Sequence, residues 1–173
     1  IGHPSTKVPG VEMNTGSLGH GLSIGTGMAI AAKKLGKNCK IYVLMGDGEQ
    51  AEGSVWEAGM AAANYKLDNL VAIIDRNRLQ ISGNTEEVMA LDDLAAKWRA
   101  FGWEVTRAQG NSISSLCTVL DKTDQRDGKP HMCLADFIDP AGDWIGGFAV
   151  TAGHGIEAKL AEDSMLCGLP VKT

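Results

Sequence analysis

Residues 40–49 read Lys40-Ile41-Tyr42-Val43-Leu44-Met45-Gly46-Asp47-Gly48-Glu49, an apolar run that ends in a glycine-flanked aspartate. A second apolar run, residues 69–74, leads in the same way into the polar residues 75–77. Short apolar runs of this kind predict buried strands. If the two strands are parallel, their polar ends meet at one carboxyl edge of a sheet, where open α/β folds bind ligands. Asp47 and Asn77 would then offer two oxygens to a hard divalent ion such as Mg²⁺, which also takes the oxygens of a phosphorylated cofactor.

The elements around these two runs alternate between helix and strand. Apolar residues recur at helical spacing over 17–35 and again over 52–65, and the second stretch joins the two strands. A strand, helix, strand order predicts a right-handed crossover and a parallel pair. Further elements are predicted as a helix over 91–101, a strand over 103–107, a helix over 112–124 and a strand over 131–137. Together they predict an α/β fold with a doubly wound, mostly parallel sheet.

Composition narrows the class of protein. The chain has 173 residues, 44% of them hydrophobic, which predicts a single domain over 1–173 with a core of its own. Its formal charge of −5 argues against nucleic acid or an anionic membrane as a partner, because those surfaces attract clustered Lys and Arg. Any phosphate is therefore expected to be held by a metal ion and by backbone amides.

The cysteines show none of the paired spacings that indicate a zinc or redox site. We therefore expect reduced thiols and a cytoplasmic protein. No apolar stretch is long enough to cross a membrane. The four cysteines are Cys39, Cys117, Cys133 and Cys167.

A glycine-rich loop, Gly16-Ser17-Leu18-Gly19-His20-Gly21, precedes the first predicted helix. It is not a dinucleotide-binding fingerprint, because the third glycine falls at Gly25, one position late, and no good strand comes before it. The loop instead offers exposed backbone amides at a helix start, which suits the close approach of a ligand. The alternative is that the glycines serve tight packing only.

Taken together, these segments resemble the amino-terminal, diphosphate-binding domain of transketolase. The resemblance is carried by residues 1–107, while a divergent, glycine-containing tail occupies 139–173. The matching segments are Gly2-His3-Pro4, the loop 16–21, Gly46-Asp47-Gly48-Glu49, Glu52-Gly53-Ser54-Val55-Trp56-Glu57, residues 65–70 and Asn77-Arg78-Leu79.

The resemblance implies chemistry carried out by thiamine diphosphate with Mg²⁺, or with another divalent cation such as Ca²⁺. In that chemistry a two-carbon ketol unit passes from a ketose phosphate to an aldose phosphate, and the protein positions the cofactor. The metal ligands implied are the side chains of Asp47 and Asn77 and the carbonyl of Leu79. The other cofactor contacts implied are Gly16, Ser17, Leu18, Gly48, Ile81 and His154.

The resemblance also gives roles to two histidines and two glutamates. His3 matches a histidine that reaches the substrate's hydroxyl end, and His154 matches one that touches both cofactor and substrate. Glu52 and Glu57 match carboxylates at a subunit interface that communicates with the cofactor. Each carboxylate also has a plain alternative, since acidic residues favour the first turn of a helix. Asp47 also has a plain alternative, because an aspartate between two glycines is ordinarily a turn residue.

A partner is implied as well. In the family, residues before the equivalent of Gly2 and a separate pyrimidine-binding domain complete the site, and split transketolases supply that domain on a second chain. We therefore expect a homo- or hetero-oligomer that acts on sugar phosphates, or alternatively a non-catalytic subunit that keeps only the fold and interface. Deoxyxylulose-phosphate synthases and the alpha subunits of 2-oxo-acid dehydrogenases share the Gly-Asp-Gly to Asn spacing, but Gly2-His3-Pro4 and residues 52–57 favour transketolase. The sugars themselves are not indicated.

Overall fold

A computed structural model describes residues 3–80, 83–124 and 127–137 of the chain. In chain order the helices are α1 (Gly21–Lys34), α2 (Gly53–Asn64), α3 (Thr85–Val88), α4 (Leu94–Ala100) and α5 (Ile113–Asp121), with 3₁₀ turns at Gly48–Ala51 and Lys122–Asp124. The strands are β1 (Ile41–Gly46), β2 (Leu70–Arg76), β3 (Leu79–Gln80), β4 (Gly83–Asn84), β5 (Glu104–Gln109) and β6 (His131–Asp136).

Four of these strands form one parallel sheet in the order β1-β2-β6-β5, and β3 and β4 form a small antiparallel hairpin. The predicted α/β fold is confirmed. Every residue of β2 is buried, since helices cover both faces of the sheet centre. This explains why its sequence is a continuous apolar run and does not alternate between polar and apolar residues.

Two hydrophobic clusters lie on opposite faces of the sheet, which is what a doubly wound fold requires. The larger one joins the sheet to α1, α2 and α4, and the smaller one joins it to α5. Trp98 anchors the larger cluster: its ring is fully buried and stacks on Trp56 with centroids 5.1 Å apart. Gly59 lets α2 approach this ring, because a Cβ there would lie 2.7 Å from it.

One expectation about the core is wrong. Met and Trp positions at helical spacing are more often core residues than cofactor contacts, so the sequence predicts that Met28, Met60, Trp56 and Trp98 lie in the core, but Met60 is 53% exposed. Met60 follows Gly59 on α2 and so lies on the side of the helix that faces away from Trp98 and the sheet. Met28 and Trp56 pack against the core in half-buried positions.

The helix starts differ from the predicted ones for identifiable reasons. The helix predicted from Ser17 begins at Gly21, because Gly19 has a φ of +80° and His20 N closes a turn on Ser17 O at 3.2 Å. The helix predicted from residue 91 begins at Leu94, since the Asp93 side chain caps it by accepting a hydrogen bond from Ala96 N. No helix among the described residues is long and apolar enough to cross a membrane.

Candidate functional site

The two predicted metal ligands follow neighbouring parallel strands. Gly46, the last residue of β1, lies opposite Asp75 near the end of β2. Asp47 and Asn77 therefore come at the same carboxyl edge of the sheet, which confirms the parallel pairing that the sequence predicts. Asp47 N donates to Asp75 O at 3.1 Å, so the sheet's hydrogen bonding extends one residue beyond β1.

The Asp47 side chain is wholly buried and accepts three hydrogen bonds. Oδ1 accepts from Gly48 N at 2.8 Å, whereas Oδ2 accepts from Arg76 Nη1 at 2.8 Å and from Arg78 N at 2.6 Å. A carboxylate has about four acceptor positions, two on each oxygen. Among the described residues, Oδ1 therefore keeps one position for a further donor or a cation.

A tight turn after β2 gathers the other candidate ligands. Arg78 has a φ of +61°, in the left-handed region, and its backbone N donates to Asp47 Oδ2. Leu79 N then donates to Asn77 Oδ1 at 2.8 Å. The turn thus places Asn77 and Leu79 on either side of Arg78, whose backbone N contacts the Asp47 carboxylate. The side chain of Leu79 is half exposed, so this part of the edge faces solvent.

These groups fit a hard divalent cation. One carboxylate oxygen with an unused position, one amide oxygen and one backbone carbonyl are all oxygen ligands, and Mg²⁺ keeps several positions for water or phosphate oxygens. No cluster of three or more His, Cys, Asp or Glu side chains suited to a metal occurs in the part of the chain that the structure describes. The candidate site is therefore an open one that a ligand's oxygens would complete.

Asp75 and Arg76 extend this cluster, and the family motifs did not single them out. Burial, and after it the charge of Asp47, raise the pKa of Asp75 from 3.8 to about 7, while a hydrogen bond with Asn77 opposes the shift. Asp75 Oδ1 has no hydrogen-bond partner among the described residues. The sequence does hold one indication of this cluster. Asp75 and Arg76 are charged residues in a strand that is otherwise apolar, and buried charges need partners.

The glycine loop is docked onto the segment that follows β1. Gly19 N donates to Glu49 Oε1 at 2.7 Å, and Ser54 Oγ donates to Gly19 O at 2.8 Å. A Cβ on Gly19 would lie 2.6 Å from the Cβ of Glu52, so only glycine fits there. This loop therefore lies beside the Asp47 turn. Glu49 and Ser54 act as its anchors, a role that the family motifs did not assign to them.

His3 lies beside the same loop and is exposed. A Cβ on Gly16 would be 3.7 Å from its ring, and Thr15 N donates to Pro4 O at 3.3 Å, which ties the two segments together. Ser17 and Leu18 are exposed at the loop's outer side. His3 therefore lies beside the exposed loop 16–18, and this loop is tied through Gly19 to Glu49, two residues after Asp47.

Glu52 and Glu57 are both exposed near the start of α2. The first turn of α2 holds no acidic residue, so the dipole alternative is wrong for Glu57, which lies further along the helix. Glu52 is the N-cap residue, without a side-chain capping bond, and still lies at the positive end of the helix dipole. Their carboxylates are thus available to a ligand or partner.

Of the remaining residues singled out by the sequence, some lie among the residues that the structure describes and others do not. A Cβ on Gly48 would lie 2.6 Å from the Cβ of Gln80, so the packing of β3 already requires this glycine. The sequence predicts that His20 is a loop histidine that bonds to nearby backbone, and its Nδ1 lies 3.0 Å from Leu18 O. Ile81 and His154 lie outside the described residues.

The thiols match the sequence-based expectation as far as they are described. Cys39, Cys117 and Cys133 are free, and burial raises the pKa of the Cys133 thiol to about 12. Cys167 lies outside the described residues. None of the three forms part of the Asp47 edge.

Comparison with known proteins identifies the family. The family described as "Transketolase, thiamine diphosphate binding domain" matches residues 1–142. One chain of the split apulose-4-phosphate transketolase of Phocaeicola vulgatus is 57% identical over 134 residues, which cover 78% of this chain and 48% of that protein. One chain of a 6-deoxy-6-sulfo-D-fructose transketolase from a Clostridium species is 38% identical over 151 residues, covering 82% of this chain and 55% of that protein.

Solved structures of transketolases share the fold of this chain. The transketolase of Campylobacter jejuni superposes with a TM-score of 0.70 at 33% identity, over 77% of this chain and 22% of that one. The chain spans about half the length of the split transketolase chains that it matches. With the fold, the strand-end aspartate and the docked glycine loop in place, the chain belongs to the transketolase family and carries its thiamine diphosphate binding domain.

Proposed function

We propose that this chain is the diphosphate-binding subunit of a transketolase assembled from two kinds of chain. Its reaction would be the transfer of a two-carbon ketol unit from a ketose phosphate to an aldose phosphate. The observation that supports this most directly is the buried Asp47 carboxylate, held by three donors at a solvent-facing sheet edge with one position left on Oδ1. A buried carboxylate with an unused position beside an amide oxygen suits a divalent cation.

Each part of the edge has a role in this proposal. Asp47, Asn77 and the Leu79 carbonyl would hold Mg²⁺, or another divalent ion such as Ca²⁺, together with diphosphate oxygens. The loop 16–18 would lie against the cofactor, because glycine permits close backbone approach. His3, beside that loop, would hydrogen-bond the substrate's hydroxyl end. When bound, thiamine diphosphate supplies the nucleophilic carbon that carries the two-carbon unit.

A partner chain is part of the proposal. The P. vulgatus relative is named as one subunit of its transketolase, and the chain covers only about half of that protein. Glu52 and Glu57 stand exposed near the start of α2, where they can face a pyrimidine-binding partner. The functional unit is therefore an oligomer of two chain types, and the free thiols are in keeping with a cytoplasmic location.

The sugar substrates require direct measurement. Two similar relatives carry the names of different ketoses, apulose 4-phosphate and 6-deoxy-6-sulfofructose. Family membership thus leaves the donor open, and the 57% identity makes apulose 4-phosphate the first donor to assay.

The first experiment is calorimetric titration of thiamine diphosphate into the purified chain, with and without Mg²⁺, and with any partner that co-purifies. We expect Mg²⁺-dependent binding that Asn77→Ala and Asp47→Ala abolish. Asp136→Ala is the matched control, because Asp136 lies at the same sheet edge, opposite Arg76 on the neighbouring strand β6, but pairs with the exposed Arg107 and not with a candidate ligand. Unchanged binding in both site variants would contradict the proposal.

The alternative is a non-catalytic subunit that keeps the fold and the interface. The tail over 139–173 motivates it, because there the sequence departs from the family pattern. An assay of ketol transfer by the purified complex separates the two functions. Turnover that Asn77→Ala abolishes would exclude the alternative, whereas cofactor binding without turnover on any ketose phosphate would favour it.

A further inference from the structure

The guanidinium of Arg76 connects the candidate cation site to a second element of the fold. Its Nη1 donates to Asp47 Oδ2 at 2.8 Å and to Thr85 Oγ1 at 2.9 Å, and its Nη2 donates to Glu86 Oε1 at 2.6 Å. The whole residue is buried, at the carboxyl end of β2. A planar guanidinium with several donors can make all three contacts at once, which a lysine ammonium cannot do in the same geometry.

The Arg76 guanidinium is also held by α3, through Thr85 and Glu86. Glu86 Oε2 accepts hydrogen bonds from Leu91 N at 3.2 Å and from Asp92 N at 3.3 Å. Thr85 is wholly buried at the start of α3. The guanidinium is therefore held by two elements and has little freedom to swing away from Asp47.

This arrangement limits what Asp47 can offer to a cation. Oδ2 already accepts from Arg76 and from Arg78 N, so both of its acceptor positions are filled. Only Oδ1 keeps a position, which permits coordination through one oxygen. Mg²⁺ demands a compact octahedron, whereas the larger Ca²⁺ readily takes both oxygens of one carboxylate.

We propose that Arg76 is a positioning residue that restricts Asp47 to one-oxygen coordination and thereby favours Mg²⁺ over Ca²⁺. The inference rests on the proposed function, since it concerns the cation of that same site. Without the guanidinium, Oδ2 regains an acceptor position and the carboxylate can turn, so two-oxygen coordination becomes accessible.

The test measures Mg²⁺ and Ca²⁺ affinity separately by calorimetry, with thiamine diphosphate present, on the full chain together with any co-purifying partner. Arg76→Met is the direct variant. Two further variants allow the test if Arg76→Met does not fold. Arg76→Lys keeps the charge, and Glu86→Gln weakens the hydrogen bond between Arg76 and the partly exposed Glu86. Arg107→Met is the matched control, because it breaks an exposed arginine–aspartate pair between β5 and β6, and β5 is separated from β2 by β6.

We expect Mg²⁺ affinity to fall by about 10–100-fold in Arg76→Met, as is usual when a metal ligand loses its supporting partner. Ca²⁺ affinity should fall much less, so the Mg²⁺ to Ca²⁺ preference drops, with smaller drops in Arg76→Lys and Glu86→Gln. A purely structural role would lower both affinities alike, and an unchanged preference in the folded variants overturns the inference alone. Failure of the wild-type chain to bind either cation would overturn the proposed function and this inference with it.

Discussion

Two arginine–aspartate pairs lie at the carboxyl edge of the same sheet, and they differ in burial. At β2, the Arg76 and Asp47 side chains are 10% and 1% exposed, and Arg76 also donates to Thr85 and Glu86. Near the ends of β5 and β6, Arg107 and Asp136 are 55% and 31% exposed and bond mainly to each other.

This difference in burial shows which of the two ion pairs can form a cation site. In a buried pair each group must keep its partners, because an uncompensated charge is costly away from water, and so the geometry is fixed. In an exposed pair water replaces the partner at little cost. Fixed carboxylate geometry is what a cation needs, and only the buried pair supplies it.

Asp47→Ala should give the largest effect on stability. It leaves the buried Arg76 guanidinium without its main carboxylate and two backbone N–H groups without an acceptor. We expect the free energy of unfolding to fall by about 3–5 kcal/mol, measured by urea denaturation without metal. A loss below about 1 kcal/mol would mean that the two pairs are energetically alike.

Asp75→Asn should change how stability depends on pH in metal-free buffer. The folded chain keeps the Asp75 proton up to about pH 7, whereas an unfolded aspartate loses its proton near pH 4. The free energy of unfolding of the wild type should therefore fall as pH rises from about 4 to 7, by at most about 4 kcal/mol from this group.

The asparagine side chain in that variant does not titrate, so the variant's stability should fall less over the same range. The comparison is made by urea denaturation at about pH 5 and about pH 8. Asp136→Asn, at the exposed pair, serves as the control and should keep the wild-type slope. Equal slopes for Asp75→Asn and the wild type would show that Asp75 ionises normally.

Gly19→Ala should destabilise the loop beside the site. Gly19 has a φ of +80°, and a Cβ there would lie 2.6 Å from Glu52 Cβ. We expect a loss of about 2–3 kcal/mol and weaker cofactor binding. Gly36→Ala is the control, because Gly36 has a φ of +64° but no heavy atom within 4 Å of the added Cβ, so it should lose only about 1 kcal/mol. Equal losses of stability in Gly19→Ala and Gly36→Ala would show that the positive φ alone causes the loss, and not the contact with Glu52.

Asp136→Ala should give the smallest effect. The pair with Arg107 is exposed, so its removal should change the free energy of unfolding by less than about 1 kcal/mol, and less still at high salt. Thermal denaturation at two salt concentrations is the measurement. A loss as large as that of Asp47→Ala would remove the distinction between the buried and the exposed pair.

Much of the fold follows from local sequence. The apolar runs before Gly46 and Asp75 predict β1 to within one residue and β2 to within two. Burial on both faces explains the continuous apolar run of β2, whereas β1 lies at an edge of the described sheet and alternates in burial. The pairing of Asp47 with Asn77 at one edge follows as well, once strand, helix and strand are recognised in order. Helix starts were less predictable, since a glycine turn and a capping aspartate move them by three or four residues.

The sequence by itself determined the sheet, its helices and the family to which the chain belongs, because these depend on periodicity and on short motifs. Only the tertiary structure decided which groups complete the site. Arg76 and Arg78 are two residues apart, yet one gives its guanidinium to Asp47 and the other its backbone N, because the chain turns after β2 and Arg78 itself lies in the left-handed region. Such contacts join residues about thirty positions apart, and strand register and turn conformation select them, so local chemistry alone cannot specify them.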